Sequence, residues 1–406
     1  MLDSFAIHTE KVCVCRFALL LGSILWIQTL SAQTPGISGV NIVIKRISTE
    51  QGLSNNSVWA ITQDKQGFIW IGTADGLNRY DGEHCVVYQH SADSTSLNDN
   101  WIRSLFADSD GSLWVGTNSG LNRFDPSTKT FRKYPSSNAV RSIYRDRGGV
   151  LWVGTARGLN RFENGTWTRY LPTPEDSAKP GDNFINVILE DSRGSFWVGA
   201  GDLRMGGGGV YQFDRINGTF SRVRYSSSEP MGSSVNWITS LFEDASGTLW
   251  VCSDPHGVYR FDESSGRFSR LPLPNYEGWF GASTEGMNRP TTHAVKRVCE
   301  DRAGALWIAT WGSGLFRYER RTRGFTQYIP DSSDPSSLSS PHVNTMFLDR
   351  TGLLWVGTDD GGVNTVSTKP FLLRHTLGDS LRILNRVQAV FGDMQGGLWI
   401  GAIGIG

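Results

Sequence analysis

The 406-residue chain has no excess charge of either sign: 39 Lys and Arg stand against 39 Asp and Glu. That balance excludes a general nucleic-acid binder, which needs a basic footprint. Charged residues are only 19 % of the chain, but 39 % hydrophobic and 11 % aromatic content is ample for a core and argues against disorder. The five cysteines include no CxxC pair, so a zinc or redox signature is missing. Helical periodicity is missing too, and no apolar run approaches the ~20 residues that span a bilayer. Gly206-Gly207-Gly208-Gly209 lacks the Lys and helix of a nucleotide-binding loop, and no kinase motif occurs. The seven His are scattered, with none beside a Ser or Cys in a nucleophilic arrangement. We therefore expect no catalytic residue, no metal centre and no cofactor in this chain.

The first 32 residues read as an export signal. Lys11 and Arg16 precede an uncharged apolar run over 17–27, and Leu30-Ser31-Ala32 offers a small-residue cleavage site. A signal anchor is the rival reading, and the short run favours cleavage. Removal of this segment leaves Cys85, Cys252 and Cys299, an odd and scattered set expected to be buried thiols rather than a disulfide framework.

What the chain has is glycine, tryptophan and a repeat. It holds 47 Gly, well above the usual ~7 %, and 15 Trp. Asp-x-x-Gly-x-x-Trp occurs eight times, with Trp at 70, 114, 152, 197, 250, 307, 355 and 399. The intervals of 44, 38, 45, 53, 57, 48 and 44 keep one unit and vary its loops. Each unit parses into four strands: a run before the Asp, the Trp strand, a Leu-x-Arg-aromatic strand and a short outer strand. Four antiparallel strands per ~45 residues, repeated, predict an all-β fold, a seven-bladed β-propeller. The seventh unit lacks its own outer strand, and the unassigned run at 42–47 is expected to supply it and close the ring. This divides the chain into a signal peptide at 1–32, the propeller at 40–368, and the first strands of a second propeller at 369–406. The chain ends inside that second unit, which leaves an unpaired edge and predicts a longer protein.

Gly52-Leu53-Ser54-Asn55-Asn56-Ser57-Val58, then Gln63-Asp64-Lys65-Gln66-Gly67-Phe68-Ile69-Trp70-Ile71-Gly72-Thr73 and Asp75-Gly76-Leu77-Asn78-Arg79-Tyr80-Asp81, resemble the two-component regulator propeller repeat. The resemblance covers essentially all of 40–406. Repeat four departs at Ala200-Gly201-Asp202 and repeat five carries Cys252-Ser253 in place of Gly-Thr. It implies the periplasmic sensor region of a bacterial hybrid two-component histidine kinase, anchored in the inner membrane. A second propeller and downstream signalling domains follow in such proteins, and a homodimer is a possible assembly. The ligand class it implies is an oligosaccharide from glycan breakdown.

The eight motif Trp invite a carbohydrate-stacking reading, but one bulky ring per blade is what packing between blades requires. The motif Asp likewise suit turn stabilisation better than a cation ring, because no oxygen-rich loop accompanies them. Function is expected on the face where loops vary, formed by the entries to strand one and the loops between strands two and three. The fifth residue before each motif Asp is Trp59, Arg103, Arg141, Asn186, Thr239, Lys296 and Asn344, placed to face the channel mouth there. Of these, Trp59, Arg103, Arg141, Asn186, Lys296 and Asn344 are candidate ligand-binding residues, with Tyr276, Trp279 and Trp311 as exposed aromatics nearby. Three cations with no acid at the equivalent position predict a positive mouth, suited to an acidic glycan. A solvated mouth and a self-packed long loop explain the same residues without a ligand. A polysaccharide hydrolase or lyase, needing a converging carboxylate pair or metal cluster, and a protein-interaction scaffold remain alternative functions.

Overall fold

The computed structural model describes residues 44–134, 138–174, 180–202, 205, 207–223, 235–254, 256–274 and 294–367, with the backbone of two further strands, Val387–Gly392 and Leu398–Ala402. The segment expected to be a leader lies outside the described residues. Among those described, no helix is long and apolar enough to cross a membrane.

Each blade begins with an aliphatic strand and turns on its motif Asp. In blade one, Val58–Gln63 pairs with Ile69–Thr73, then Gly76–Tyr80, then Cys85–Tyr88, all antiparallel. Asp64 shapes the turn: its Oδ1 accepts the Phe68 N–H at 3.0 Å, and Gly67 takes φ +100°, where a side chain would be strained. Its Oδ2 accepts the Trp70 indole N–H at 2.7 Å. The same indole-to-carboxylate bond recurs in blades two to seven at 2.6–3.0 Å. The repeat spacing thus carries a buried polar bond as well as packing.

The seven first strands pack on one another in order around a closed ring, the seventh (Val343–Leu348) against the first. Between successive blades lie seven separate apolar slabs. Trp355 of blade seven packs with Val58, Ile61, Ile69 and Ile71 of blade one, and Trp70 packs with Ile102, Leu113 and Val115 of blade two. All seven motif Trp of the ring are at most 5 % exposed, so they hold blades together and offer no stacking face. The ring closes as the unassigned run suggests. Ile44–Ile47 forms the outer strand of blade seven, with Ile44 opposite Val366 and Ile47 opposite Val363. Blades four and five share one irregularity, a parallel contact of Gly207 and Gly208 with residues 235 and 236. Cys85, Cys252 and Cys299 are free thiols; burial holds the Cys252 thiol well above its ordinary pKa and pushes Cys299 up to about 12.

Candidate functional site

One irregularity repeats in every blade and builds the candidate site. The ladder between strands one and two slips by one residue near the start of strand one: Val58 pairs with Thr73, but Ala60 pairs with Gly72. The skipped residue in the seven blades is Trp59, Arg103, Arg141, Asn186, Thr239, Lys296 and Asn344. A bulge of this kind re-aims one side chain and lets residues on either side keep to one face. Val58 and Ile61 therefore share a slab although three residues apart, as do Val140 with Ile143 and Ile185 with Ile188.

The bulged residues lie on the face carrying the loops between strands two and three. Backbone bonds tie those loops to the entry of strand one: Ala74 to Ser57 at 2.9 Å, Asn118 to Trp101 at 3.2 Å and Asp359 to His342 at 2.9 Å. Three clusters form along this rim. In the first, Arg103 lies 5.1 Å from the Trp59 ring and 4.8 Å from Trp101, and its Nε donates to Asn118 Oδ1 at 2.7 Å. Trp59 Nε1 donates to Ser57 Oγ, which with Asn344 Nδ2 donates to Asp359 Oδ1. In the second, Arg141 sits over Phe184, donates to Asn186 Oδ1 at 3.2 Å and stands 4.0 Å from Asp202. In the third, Lys296 meets Asp254 at 2.9 Å and lies 4.6 Å from the Trp237 ring and 5.9 Å from Trp311, which packs on His342.

This geometry corrects the expected charge. Asp202 and Asp254 come from the facing loops and offset Arg141 and Lys296, so the rim is not uniformly positive. Arg103 has no carboxylate at ion-pair distance among the described residues; burial first, then the neighbouring Arg141, pulls it down to about 10, still protonated at neutral pH. Thr239 leaves the group, because its hydroxyl donates to the Val295 carbonyl of the next blade at 2.8 Å. Tyr276 and Trp279 lie outside the described residues, whereas Trp311 joins the third cluster. Sequence reasoning missed Trp101 and Trp237, which both stand seven residues before a motif Asp, and the loop residues Asn118, Asp254 and Asp359. Several buried polar atoms here lack a partner among the described residues: Trp101 Nε1, Arg141 Nε, Ser253 Oγ and Asp254 Oδ1. Donors and acceptors are thus both left over, close to aromatic faces.

With the geometry in hand, known proteins can be compared. The family described as two component regulator propeller matches at residues 52–75, 96–119, 134–157, 232–254 and 337–360, in blades one, two, three, five and seven. A histidine kinase of Formosa agariphila is 43 % identical over 81 residues, which is 20 % of this chain and 6 % of that protein. The extracellular domains of two B. thetaiotaomicron proteins described as hybrid two-component systems superpose with TM-scores of 0.65. They are 24 % and 20 % identical, cover 88 % of this chain, and are themselves covered to 46 % and 44 %. Virginiamycin B lyase of Staphylococcus aureus has the same fold at 14 % identity, with a TM-score of 0.59 over 81 % of this chain and all of its own. The chain spans about half the length of those extracellular domains. Five of its seven blades carry the two-component regulator propeller repeat.

Proposed function

We propose that the ring is the ligand-sensing part of a periplasmic two-component signalling protein, that its rim binds an oligosaccharide, and that the signal passes to a histidine kinase outside this chain. The observation that carries the reading is the bulge shared by all seven blades. It gathers indoles, guanidinium, ammonium and carboxamide groups on one face. Aromatic faces beside leftover donors and acceptors suit a polyhydroxylated ring, whose apolar face stacks while its hydroxyls bond at the edge. The carboxylates opposite Arg141 and Lys296 favour neutral sugars over the acidic glycan that three unpaired cations would suit. The ring is read as a binding domain without chemistry of its own, since Asp202, Asp254 and Asp359 are engaged by neighbouring side chains.

We assign 40–368 to this propeller and 369–406 to the start of a second one. The hairpin of Val387–Gly392 with Leu398–Ala402 supports this, because its ladder slips between Val387 and Ala389 as the seven blades do. The test is calorimetric titration of neutral and uronic-acid oligosaccharides into the chain and into Arg103→Ala and Trp311→Ala. We expect neutral ligands to bind at least as well as acidic ones, and each substitution to weaken binding tenfold or more. Absence of binding, or variants indistinguishable from the parent, would sink the rim assignment. Release of shortened products would move the protein to the polysaccharide-active class.

A further inference from the structure

Away from the rim, strand three carries a second repeated arrangement. In five blades its Arg stands directly opposite the motif Trp: Arg79, Arg123, Arg161, Arg260 and Arg317. Four of the five are engaged close by. Arg79 lies 4.6 Å from the Phe68 ring, Arg123 meets Asp110 at 2.7 Å, Arg161 meets Glu163 at 2.5 Å and Arg317 meets Glu319 at 3.3 Å.

Blade five breaks the series. Arg260 is exposed and has no hydrogen bond, ion pair or ring contact among the described residues. Its place is taken from the next blade: Arg320 lies 5.8 Å from the Trp250 ring and meets Asp244 at 2.9 Å and Glu300 at 3.0 Å. The carboxylates of the two neighbouring hairpins are engaged as well. Asp262 accepts the Ser264 N–H at 2.9 Å, Glu263 meets Arg193, and Glu319 is held by Arg317. No acid nearby is left to answer Arg260.

Arg260 lines a cavity of about 440 Å³ between the outer strands of blades five and six, a volume within the range of small-ligand sites. Leu271 and Pro272 line it from blade five, and Tyr318, Arg323 and Phe325 from blade six. Among the described residues that line it there is no carboxylate. Arg323 is also exposed, with no hydrogen bond or ion pair among the described residues. The Tyr318 and Phe325 rings pack on each other at 4.6 Å and, with Leu271 and Pro272, give the cavity an apolar wall. Two unanswered guanidiniums therefore share one small space with aromatic and aliphatic surface.

We propose that this cavity binds a small carboxylate carried on an apolar ring. The carboxylate meets Arg260 and Arg323, whose planar forks match it in shape, and the ring lies against the apolar wall. The site is separate from the rim and does not depend on the oligosaccharide reading, so Arg103→Ala should bind the probe as the parent does. Benzoate is that probe; acetate and sulfate lack the ring, and benzyl alcohol lacks the charge. Calorimetric titration of the full chain should show benzoate binding at least tenfold more tightly than any of the three. Arg260→Gln and Arg323→Gln should each weaken benzoate at least tenfold and leave the melting temperature unchanged, because both side chains are exposed. Ser269 stands opposite Arg260 in the ladder, so Ser269→Glu supplies a carboxylate from within the chain and should abolish benzoate binding. Acetate or sulfate binding as tightly as benzoate would reduce the cavity to a surface anion patch and overturn the proposal. Benzyl alcohol doing so, parent-like binding in Arg260→Gln, or no binding of benzoate at all would overturn it equally.

Discussion

At the scale of single residues, the motif pair of Asp and Trp combines two functions in one contact. The indole fills a slab between blades while its N–H donates to a carboxylate that the turn has already bonded. Asp244 shows the balance: burial raises its pKa, but Ser246, the Trp250 indole, the Thr248 N–H and Arg320 outweigh that and leave it below the ordinary carboxylate value of 3.8. A depressed native pKa contributes stability above the unfolded value, lost as pH falls through 3.8 towards the native one. Trp250→Phe removes one of those bonds, so at neutral pH it should cost about 1.5–3 kcal/mol for the charge-assisted bond, plus a smaller packing loss. Because Asp244 would then titrate nearer its ordinary value, the difference from the parent should shrink on acidification below pH ~5. Urea unfolding at pH 7 and at about pH 3, inside the window where the carboxylate protonates, makes the comparison. A gap that does not change with pH would mean the indole acts by packing alone.

At the scale of the strand, the glycine of the Trp-aliphatic-Gly-Thr segment is a clearance. A Cβ on Gly116 would stand 2.5 Å from Val140 Cγ1 and 2.8 Å from the Val140 carbonyl, in the first strand of the next blade. Gly72, Gly199 and Gly357 meet Ile102, Ile238 and Val58 in the same way, the last across the closure of the ring. Blades five and six use Cys252 and Ala309 here, both fully buried, so these two joints are spaced to admit a small side chain. Gly116→Ala should therefore destabilise by about 1–3 kcal/mol through overpacking, whereas Ala309→Gly should cost about 1 kcal/mol. Chemical denaturation of the two variants checks this; equal and small effects would mean that the blades adjust freely.

The whole ring depends on one strand from its N-terminal side. Ile44–Ile47 pairs with Val363–Ser367, and Arg46 Nε adds a bond to the Gly361 carbonyl at 2.9 Å. A chain begun at Thr49 would expose the edge of blade seven and lose the burial of Ile44 and Ile47. That should lower stability by about 3 kcal/mol or more and leave blades one and seven less protected in hydrogen exchange. An unchanged melting temperature would show that the ring is held by its inter-blade slabs alone. The two faces of this ring carry different irregularities. The rim varies in loops, while on the opposite face a side chain at the end of strand one bonds the preceding turn at four of the seven joints.

The sequence by itself determined the all-β class, the seven-blade number and the closing strand, because each unit repeats the same turn, ring and aliphatic positions at nearly constant spacing. It also located the rim, since Trp59, Arg103, Arg141, Asn186, Lys296 and Asn344 stand at one offset from the motif Asp. Only the tertiary structure showed why that offset matters: a bulge turns these side chains outward while residues 58 and 61, or 140 and 143, both face a slab. The aliphatic pairs three apart were visible, but their meaning depends on ladder pairing. Charge was the least legible property. Asp202 and Asp254 lie far in the chain from Arg141 and Lys296, and loops without a fixed period bring them together. A linear repeat records which residues share a position within a blade. Which residues meet between blades is decided by the ring, because its closure brings the loops of one unit against the first strand of the next.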